Sequence, residues 1–274
     1  MIVFPDPNVE TEYTDPNGAV WEFNGTGWVR QCDCSGGDGG DSNFGVACLI
    51  DGEGPDGSED IIDISGNLLF EGLPPTVLAG PPFITHSDAK YGQGCVEVKT
   101  NGSAAKSNMG IVTGPNSFTI EFWLKRRIST GGYIFEARSD VTSVWRLRLL
   151  GGTNSQIGFG YGSQLQWSNA TIPLNAWTHF AFCYDSETKE GRIFINGVLD
   201  SAQATYPDMD IQPNALYIGT PDAANTNFRF DDFRYTARVA RYDDDFTPPE
   251  ELPKTRVDAL RRIATNKKGG QQRR

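Results

Sequence analysis

Acidic side chains and two histidines are the residues of this chain that would support hydrolytic chemistry. Cleavage of a glycosidic bond needs two facing carboxyl groups, and one strand supplies both when they stand at alternate positions, because alternate residues share a face. Glu121 stands alone between apolar residues, and Asp208-Met-Asp210 lies in a proline-flanked loop. Neither His86 nor His179 stands in a recognisable triad pattern. We predict no catalytic residues and no enzyme, with a glycoside hydrolase as a remote alternative.

A second group of residues fits carbohydrate binding, in which a sugar ring stacks on an aromatic side chain and polar groups frame it. Tyr161, Gln164, Gln166 and Trp167 lie along one hairpin rich in glycine and polar residues. Trp167 fits a position in the hydrophobic core at least as well. The hairpin is therefore a candidate glycan site and, alternatively, a part of the core.

The elements that would position these residues begin with a small N-terminal module. Residues 1–34 contain two short alternating segments around a glycine-containing turn, which predicts a β-hairpin. An isolated hairpin is marginal and cannot hide three large aromatic side chains. We therefore predict that this module contacts an assembly partner through Trp21, Phe23 and Trp28.

Residues 35–60 are rich in glycine and aspartate and are predicted to be a linker that holds at most one short strand. Residues 61–250 then alternate between short apolar strands and turns, with Asn196-Gly197 as the strongest hairpin signal. Strands at this spacing without helical periods predict an all-β fold, a two-sheet antiparallel jelly-roll sandwich.

The C-terminal residues 251–274 differ in composition from the rest. An apolar stripe with adjacent arginines predicts a short basic amphipathic helix and tail. We predict that this segment docks on an acidic protein surface rather than on nucleic acid. Its predicted assembly contacts are Val257, Leu260, Arg261, Arg262 and Ile263.

Charge is distributed unevenly along the 274 residues, whose formal net charge is −11. Residues 1–110 carry 17 acidic and 4 basic side chains, residues 111–253 carry 17 and 12, and residues 254–274 carry 1 and 8. The net charge argues against nucleic acid as the main partner. The acidic residues 1–110 and the basic residues 254–274 either bind each other, within one chain or between chains, or are separately solvated.

Two further patterns bear on location. No stretch approaches 18 apolar residues, so we expect no membrane partner. The first residues lack the basic and apolar regions of a signal peptide, so we expect synthesis in the cytoplasm.

Several segments in the predicted sandwich resemble the concanavalin A-like lectin/glucanase superfamily in its laminin G-like (LamG) branch. Their order along the chain is that of the family: 118–123, 177–184, 191–198, 216–219 and 230–235. The resemblance covers about residues 61–250 and implies the same jelly-roll sandwich. It also implies that calcium is a possible cofactor, with Asp63, Asp222, Asp231 and Asp232 as the candidate ligands, since Ca²⁺ binds oxygen. Alternatively, an inward carboxylate caps a turn or meets an arginine.

The segments 237–249 and 4–28 resemble short motifs of bacteriophage virion proteins. This resemblance implies a non-enzymatic structural protein located in the virion, as a capsid decoration, fibre or tail accessory part. Its partners would be other virion proteins and, by analogy, further copies of itself in a homo-oligomer. A host surface glycan is a further partner if the sandwich adheres weakly, and a dedicated carbohydrate-binding adhesin is the alternative function.

Overall fold

A computed structural model describes residues 46–249, with gaps at 66, 74–79, 100–102, 109–115, 140–141, 153–154, 201–203, 210–212 and 220–225, together with three short N-terminal strands. These three strands, β1 (Glu12–Thr14), β2 (Val20–Phe23) and β3 (Trp28–Gln31), form a sheet of their own. β2 and β3 are the predicted hairpin, in which Phe23 pairs with Trp28. The predicted C-terminal helix lies outside the described residues.

The main body is a sandwich of two antiparallel sheets. The first has seven strands in the spatial order β13 (Gln164–Trp167), β12 (Ile157–Tyr161), β11 (Thr142–Leu149), β10 (Gly132–Ser139), β18 (Ala215–Gly219), β8 (Ala104–Ser107) and β5 (Phe70–Gly72). Arginines and glycines alternate with apolar residues along β11 and β12, so only one face of this sheet is apolar.

The second sheet has nine strands. Along its main path lie β16 (Val198–Leu199), β15 (Glu190–Ile195), β14 (Trp177–Asp185), β9 (Phe118–Arg126), β19 (Phe228–Ala237), β7 (Cys95–Val98) and β6 (Phe83–Thr85). Off this path, β17 (Ala204–Thr205) pairs with β15 and β4 (Val46–Ile50) pairs with β19. Because β4 belongs to this sheet, the sandwich begins before residue 61, inside the segment predicted to be a linker.

The hydrophobic core fills the space between the two sheets. Phe118, Phe122, Phe159 and Phe182 are among its fully buried side chains, and the rings of Phe159 and Phe182 stack across it at 3.7 Å. The prediction of an all-β two-sheet sandwich is confirmed. The described residues contain no helix long and apolar enough to cross a membrane.

The outer face of the nine-stranded sheet is also covered. All nine residues of β9 are buried, although its sequence alternates. The segment after β19 lies across this face, where Ala240, Tyr242 and Phe246 pack on a small second cluster around Phe194. The outer face of the seven-stranded sheet is therefore where the sandwich presents a broad polar surface to solvent.

Candidate functional site

Two glycines in β12 shape one end of the seven-stranded sheet's outer face. Gly158 pairs with Trp167 and Gly160 pairs with Leu165 of β13. A Cβ atom on Gly158 would lie 2.6 Å from Cε3 of Trp167, so the indole ring can cover this position only because glycine has no side chain. Trp167 is half-buried there, and the rest of its ring is available to solvent.

Next to the glycines, β11 adds two arginines to the same face. Arg148 pairs with Gly158, and Arg146 pairs with Gly160. Arg148 is exposed and Arg146 is half-buried, and Cγ of Arg146 would lie 3.3 Å from a Cβ on Gly160. The aliphatic part of Arg146 thus packs over the glycine while its guanidinium group reaches solvent.

The polar surface continues across the neighbouring strands, as their pairing shows. Arg146 pairs with Glu136 of β10, Glu136 with Tyr217 of β18, and Tyr217 with Lys106 of β8. Paired residues of an antiparallel sheet point to the same side, so one row of polar side chains crosses the sheet. We call this surface the aromatic–arginine face; it consists of Lys106, Tyr133, Glu136, Arg138, Arg146, Arg148, Trp167 and Tyr217.

Cations on this face lie over aromatic rings. The guanidinium carbon of Arg148 lies 5.6 Å from the ring centre of Tyr133, and that of Arg138 lies 4.8 Å from the ring centre of Tyr217. Nε of Arg138 also donates a hydrogen bond to Glu136 at 3.2 Å. These contacts hold the guanidinium groups in place. The surface therefore offers oriented hydrogen-bond donors beside aromatic rings, which suits a sugar ring with polar substituents.

The hairpin predicted to bind a glycan contributes less than its sequence suggests. Tyr161 and Gln166 are buried, and Gln166 donates to the carbonyl of Gly191 in the opposite sheet at 3.3 Å. Gln164 is exposed and pairs with Tyr161. Alternation separates Gln166 from Trp167, so of the four predicted residues only Trp167 lies on the outer face. Sequence reasoning missed the tyrosines and arginines of β10, β11 and β18.

Asp63, the first predicted calcium ligand, has a structural role. Its carboxylate accepts backbone hydrogen bonds from Leu49, Ser65, Asn67 and Leu68 at 2.8–3.1 Å, and one from the Ser65 hydroxyl at 2.6 Å. Five donors saturate the lone pairs of a carboxylate. Asp63 therefore fastens its loop to β4 and does not fit a cation.

Asp231 and Asp232, the next two predicted calcium ligands, are both buried. β19 has a bulge between Asp231 and Arg234, and Asp232 has a φ of 49°, so strict alternation fails there. Asp231 accepts backbone hydrogen bonds from Lys90, Tyr91 and Asp232. Burial and the carboxylate of Asp232 raise the pKa of Asp231 to about 8, although the three N–H donors lower it.

Calcium therefore has no complete ligand set in the described part of the chain. Asp222 lies outside the described residues. Among the residues that the structure describes, no three His, Cys, Asp or Glu side chains converge in a way that would hold a metal ion. The N–H and O–H groups around Asp63 and Asp231 donate to these two carboxylates, which are therefore engaged by the protein's own donors.

Glu121 is buried in a cluster on the other sheet. It forms an ion pair with Arg234 at 2.7 Å and accepts a hydrogen bond from the Tyr242 hydroxyl at 2.9 Å. Nε2 of His179 lies 3.6 Å from Oε2 of Glu121, the oxygen that also accepts from Tyr242. Glu121, His179 and Arg234 are each about 1% exposed, so substrate has no access to this cluster, which fixes Tyr242 of the segment after β19.

The predicted assembly contacts lie at the edges of what the structure describes. Trp21, Phe23 and Trp28 stand in β2 and β3, of which the backbone is described. The predicted contacts of the C-terminal segment, Val257, Leu260, Arg261, Arg262 and Ile263, fall outside the described residues.

Solved structures share this fold at low sequence identity. The receptor-binding domain of botulinum neurotoxin C/D mosaic serotype has 13% identity and a TM-score of 0.52, over 73% of this chain and 50% of that one. The binding domain of botulinum neurotoxin DC in complex with SialylT has 14% identity and a TM-score of 0.50, over 81% and 52%. The chain thus spans about half the length of these structures, and the likeness shows the fold alone.

A search of curated proteins finds no matching sequence. Residues 99–241 match the Laminin_G_3 family model, which describes the concanavalin A-like lectin/glucanases superfamily. This match covers more than half of the chain and includes the strands β9 to β19, which carry most of the aromatic–arginine face. The chain belongs to the concanavalin A-like lectin/glucanases superfamily.

Proposed function

We propose that the sandwich binds a glycan on the aromatic–arginine face. The observation that carries this proposal is the placement of Trp167 over Gly158, beside Arg146 and Arg148, on an open sheet surface. A half-buried indole gives a flat apolar platform for a sugar ring, and the neighbouring guanidinium groups supply hydrogen-bond donors. On the opposite sheet, the segment after β19 covers the outer face around Phe194.

A glycan array followed by titration tests this proposal. The array identifies the glycans bound by the full chain, and calorimetry then measures their affinity for the wild type, Trp167→Ala and Trp177→Ala. Trp177 is the matched control, because it is also half-buried but stands on the nine-stranded sheet. We expect Trp167→Ala to weaken binding by about tenfold or more and Trp177→Ala to leave it unchanged. Equal affinities in all three proteins would refute the site.

We further propose that the chain is a structural component of a bacteriophage virion and presents the sandwich outward. Support comes from the resemblance of its N-terminal segment and of residues 237–249 to phage virion motifs. Among the described strands, β1, β2 and β3 pair with one another and with none of the sandwich strands, as suits a separate attachment module. Other virion proteins and further copies of the chain would be its partners.

Truncation tests this attachment. Deletion of residues 1–34 or of residues 254–274 is expected to release the protein from the particle, while the sandwich keeps its fold. Incorporation is measured by the amount of protein that copurifies with intact particles, and folding by circular dichroism. If both truncated proteins are incorporated as fully as the wild type, neither terminus attaches the chain.

We also propose that the domain binds without catalysis. Glu121, the acidic residue of β9, is engaged by Arg234 and Tyr242 and is buried. A glycosidase needs two carboxyl groups about 5–10 Å apart in an accessible cleft. Release of reducing sugar from the glycans that bind on the array would contradict this proposal.

A further inference from the structure

We infer that the ligand of the aromatic–arginine face is an acidic glycan, whose carboxylate or sulfate groups are bound by Arg146 and Arg148. This inference rests on the proposed function and specifies its ligand. It follows from the charge of the face, from the partners of its arginines and from the open surface beside them.

The face is cationic although the chain as a whole is acidic. Four basic side chains, Lys106, Arg138, Arg146 and Arg148, share this side of the sheet with Glu136 and, at its far edge, with Glu71 opposite Lys106. The whole chain has a net charge of −11. A surplus of positive charge on one sheet face attracts anions to it.

The two glycine-flanked arginines differ from Arg138 in their partners. Arg138 is neutralised by Glu136, with a hydrogen bond of 3.2 Å from Nε. Nη2 of Arg146 donates only a long bond of 3.4 Å to the carbonyl of Gly162, and Arg148 lies over Tyr133. Among the described residues, neither Arg146 nor Arg148 has a carboxylate within ion-pair distance.

Arg146 and Arg148 stand on one face of one strand, about 7 Å apart at their backbones. Gly158 and Gly160 leave no side chain next to them on β12. The ring of Tyr133 lies beside the Arg148 guanidinium group, which leaves N–H groups of the fork to bind a carboxylate or sulfate in a bidentate manner. Trp167 on the far side of the glycines places a sugar ring within reach of both.

Nucleic acid is the other polyanion that such a face would attract. A long polyanion would also meet the acidic remainder of the chain. In the described part of the face, Tyr133 and Tyr217 lie under Arg148 and Arg138, so Trp167 is the aromatic ring that no cation covers. Successive bases need a series of such platforms. A short acidic saccharide fits the surface better.

The test compares matched glycans and matched arginine variants of the full chain. The probes are sialylated, uronate-containing and sulfated oligosaccharides, their neutral counterparts, and a single-stranded oligonucleotide. The proteins are the wild type, Arg146→Gln, Arg148→Gln and the control Arg127→Gln, whose arginine follows β9 in the other sheet. We expect acidic glycans to bind at least tenfold more tightly than neutral ones, and each face variant to lose about tenfold.

The possible outcomes separate the two claims. Preference for acidic glycans that falls in Arg146→Gln and Arg148→Gln, and not in Arg127→Gln, supports the inference. Neutral glycans that bind as tightly as acidic ones and depend on Trp167 would overturn the inference and leave the proposed function standing. Tighter binding of the oligonucleotide through the same arginines would also overturn it. No binding to any glycan would remove both claims.

Discussion

At the scale of single residues, Glu121 stands on the outer face of the nine-stranded sheet and is buried there by its partners. Burial alone would raise its pKa, but the charges of Arg234, His179 and Arg241 hold the pKa of Glu121 well below its usual range. Its ion pair with Arg234 is buried on both sides. The sequence predicts none of these partners, because they come from β14, β19 and the segment that follows it.

Removal of the Glu121 charge is expected to destabilise the fold strongly. Glu121→Gln leaves the buried guanidinium group of Arg234 without its counter-charge, which typically costs about 3–5 kcal/mol of unfolding free energy. Glu190→Gln is the control, because Glu190 pairs with Arg192 at a more exposed position and should cost about 1 kcal/mol or less. Urea unfolding measures both values, and similar losses in the two variants would contradict the account.

The same carboxylate predicts a pH dependence. Its pKa is lower in the folded chain than in the unfolded chain, where it is near 4.3, so its stabilising effect is complete above that pH and is lost as the pH falls below it. The difference in unfolding free energy between wild type and Glu121→Gln should therefore shrink as the pH falls from about 5 towards 2. If this difference in unfolding free energy grew over the same fall in pH, the carboxylate would not have the lowered pKa that the account requires.

At the scale of elements, the turn Asn196-Gly197 forms the predicted hairpin and also contacts Phe246, which the sequence does not predict. Both residues have positive φ, 53° and 80°, as a tight hairpin between β15 and β16 requires. The carbonyl of Gly197 accepts a hydrogen bond from the Phe246 backbone at 2.7 Å. The hairpin is thus one of the points that hold the segment after β19 against the nine-stranded sheet.

Gly197→Ala is expected to disturb both the turn and this contact. A Cβ atom there would collide with the carbonyl oxygen of Phe246, whereas one on Gly57, with the same φ of 80°, would meet nothing within 4 Å. Gly57→Ala therefore isolates the cost of backbone strain, about 1–2 kcal/mol. We expect Gly197→Ala to cost more than Gly57→Ala in urea unfolding; equal losses would mean that the contact with Phe246 adds nothing.

The elements of the fold were more predictable than the site. Alternation along Phe118 to Leu124 is typical of a strand with one buried face, and the structure places this segment in β9 with its alternate apolar side chains in the core. Alternation also splits the hairpin of Tyr161 and Trp167 between two faces, so neighbours in sequence do not share a surface. The site depends on the register of several strands, which brings Trp167, Arg148 and Tyr133 into one row and leaves no mark in the sequence.

At the scale of the whole molecule, the formal net charge is −11, but the aromatic–arginine face carries more basic than acidic side chains. The net negative charge is concentrated before residue 111, whereas four basic side chains lie on the outer face of the seven-stranded sheet. Charges on such a surface attract an acidic ligand less strongly as salt screens them. The molecule as a whole therefore presents one face suited to an acidic saccharide on an otherwise acidic body.

The most direct test of the binding site is the response of the tryptophan indole N–H signals in a proton–nitrogen NMR spectrum. The chain has six tryptophans, and Trp167→Phe assigns the signal of interest. On addition of the glycan bound most tightly on the array, we predict that the Trp167 signal shifts most and that the signals of the core residue Trp145 and of Trp177 stay in place. A Trp167 signal that does not move while another tryptophan responds would contradict the account.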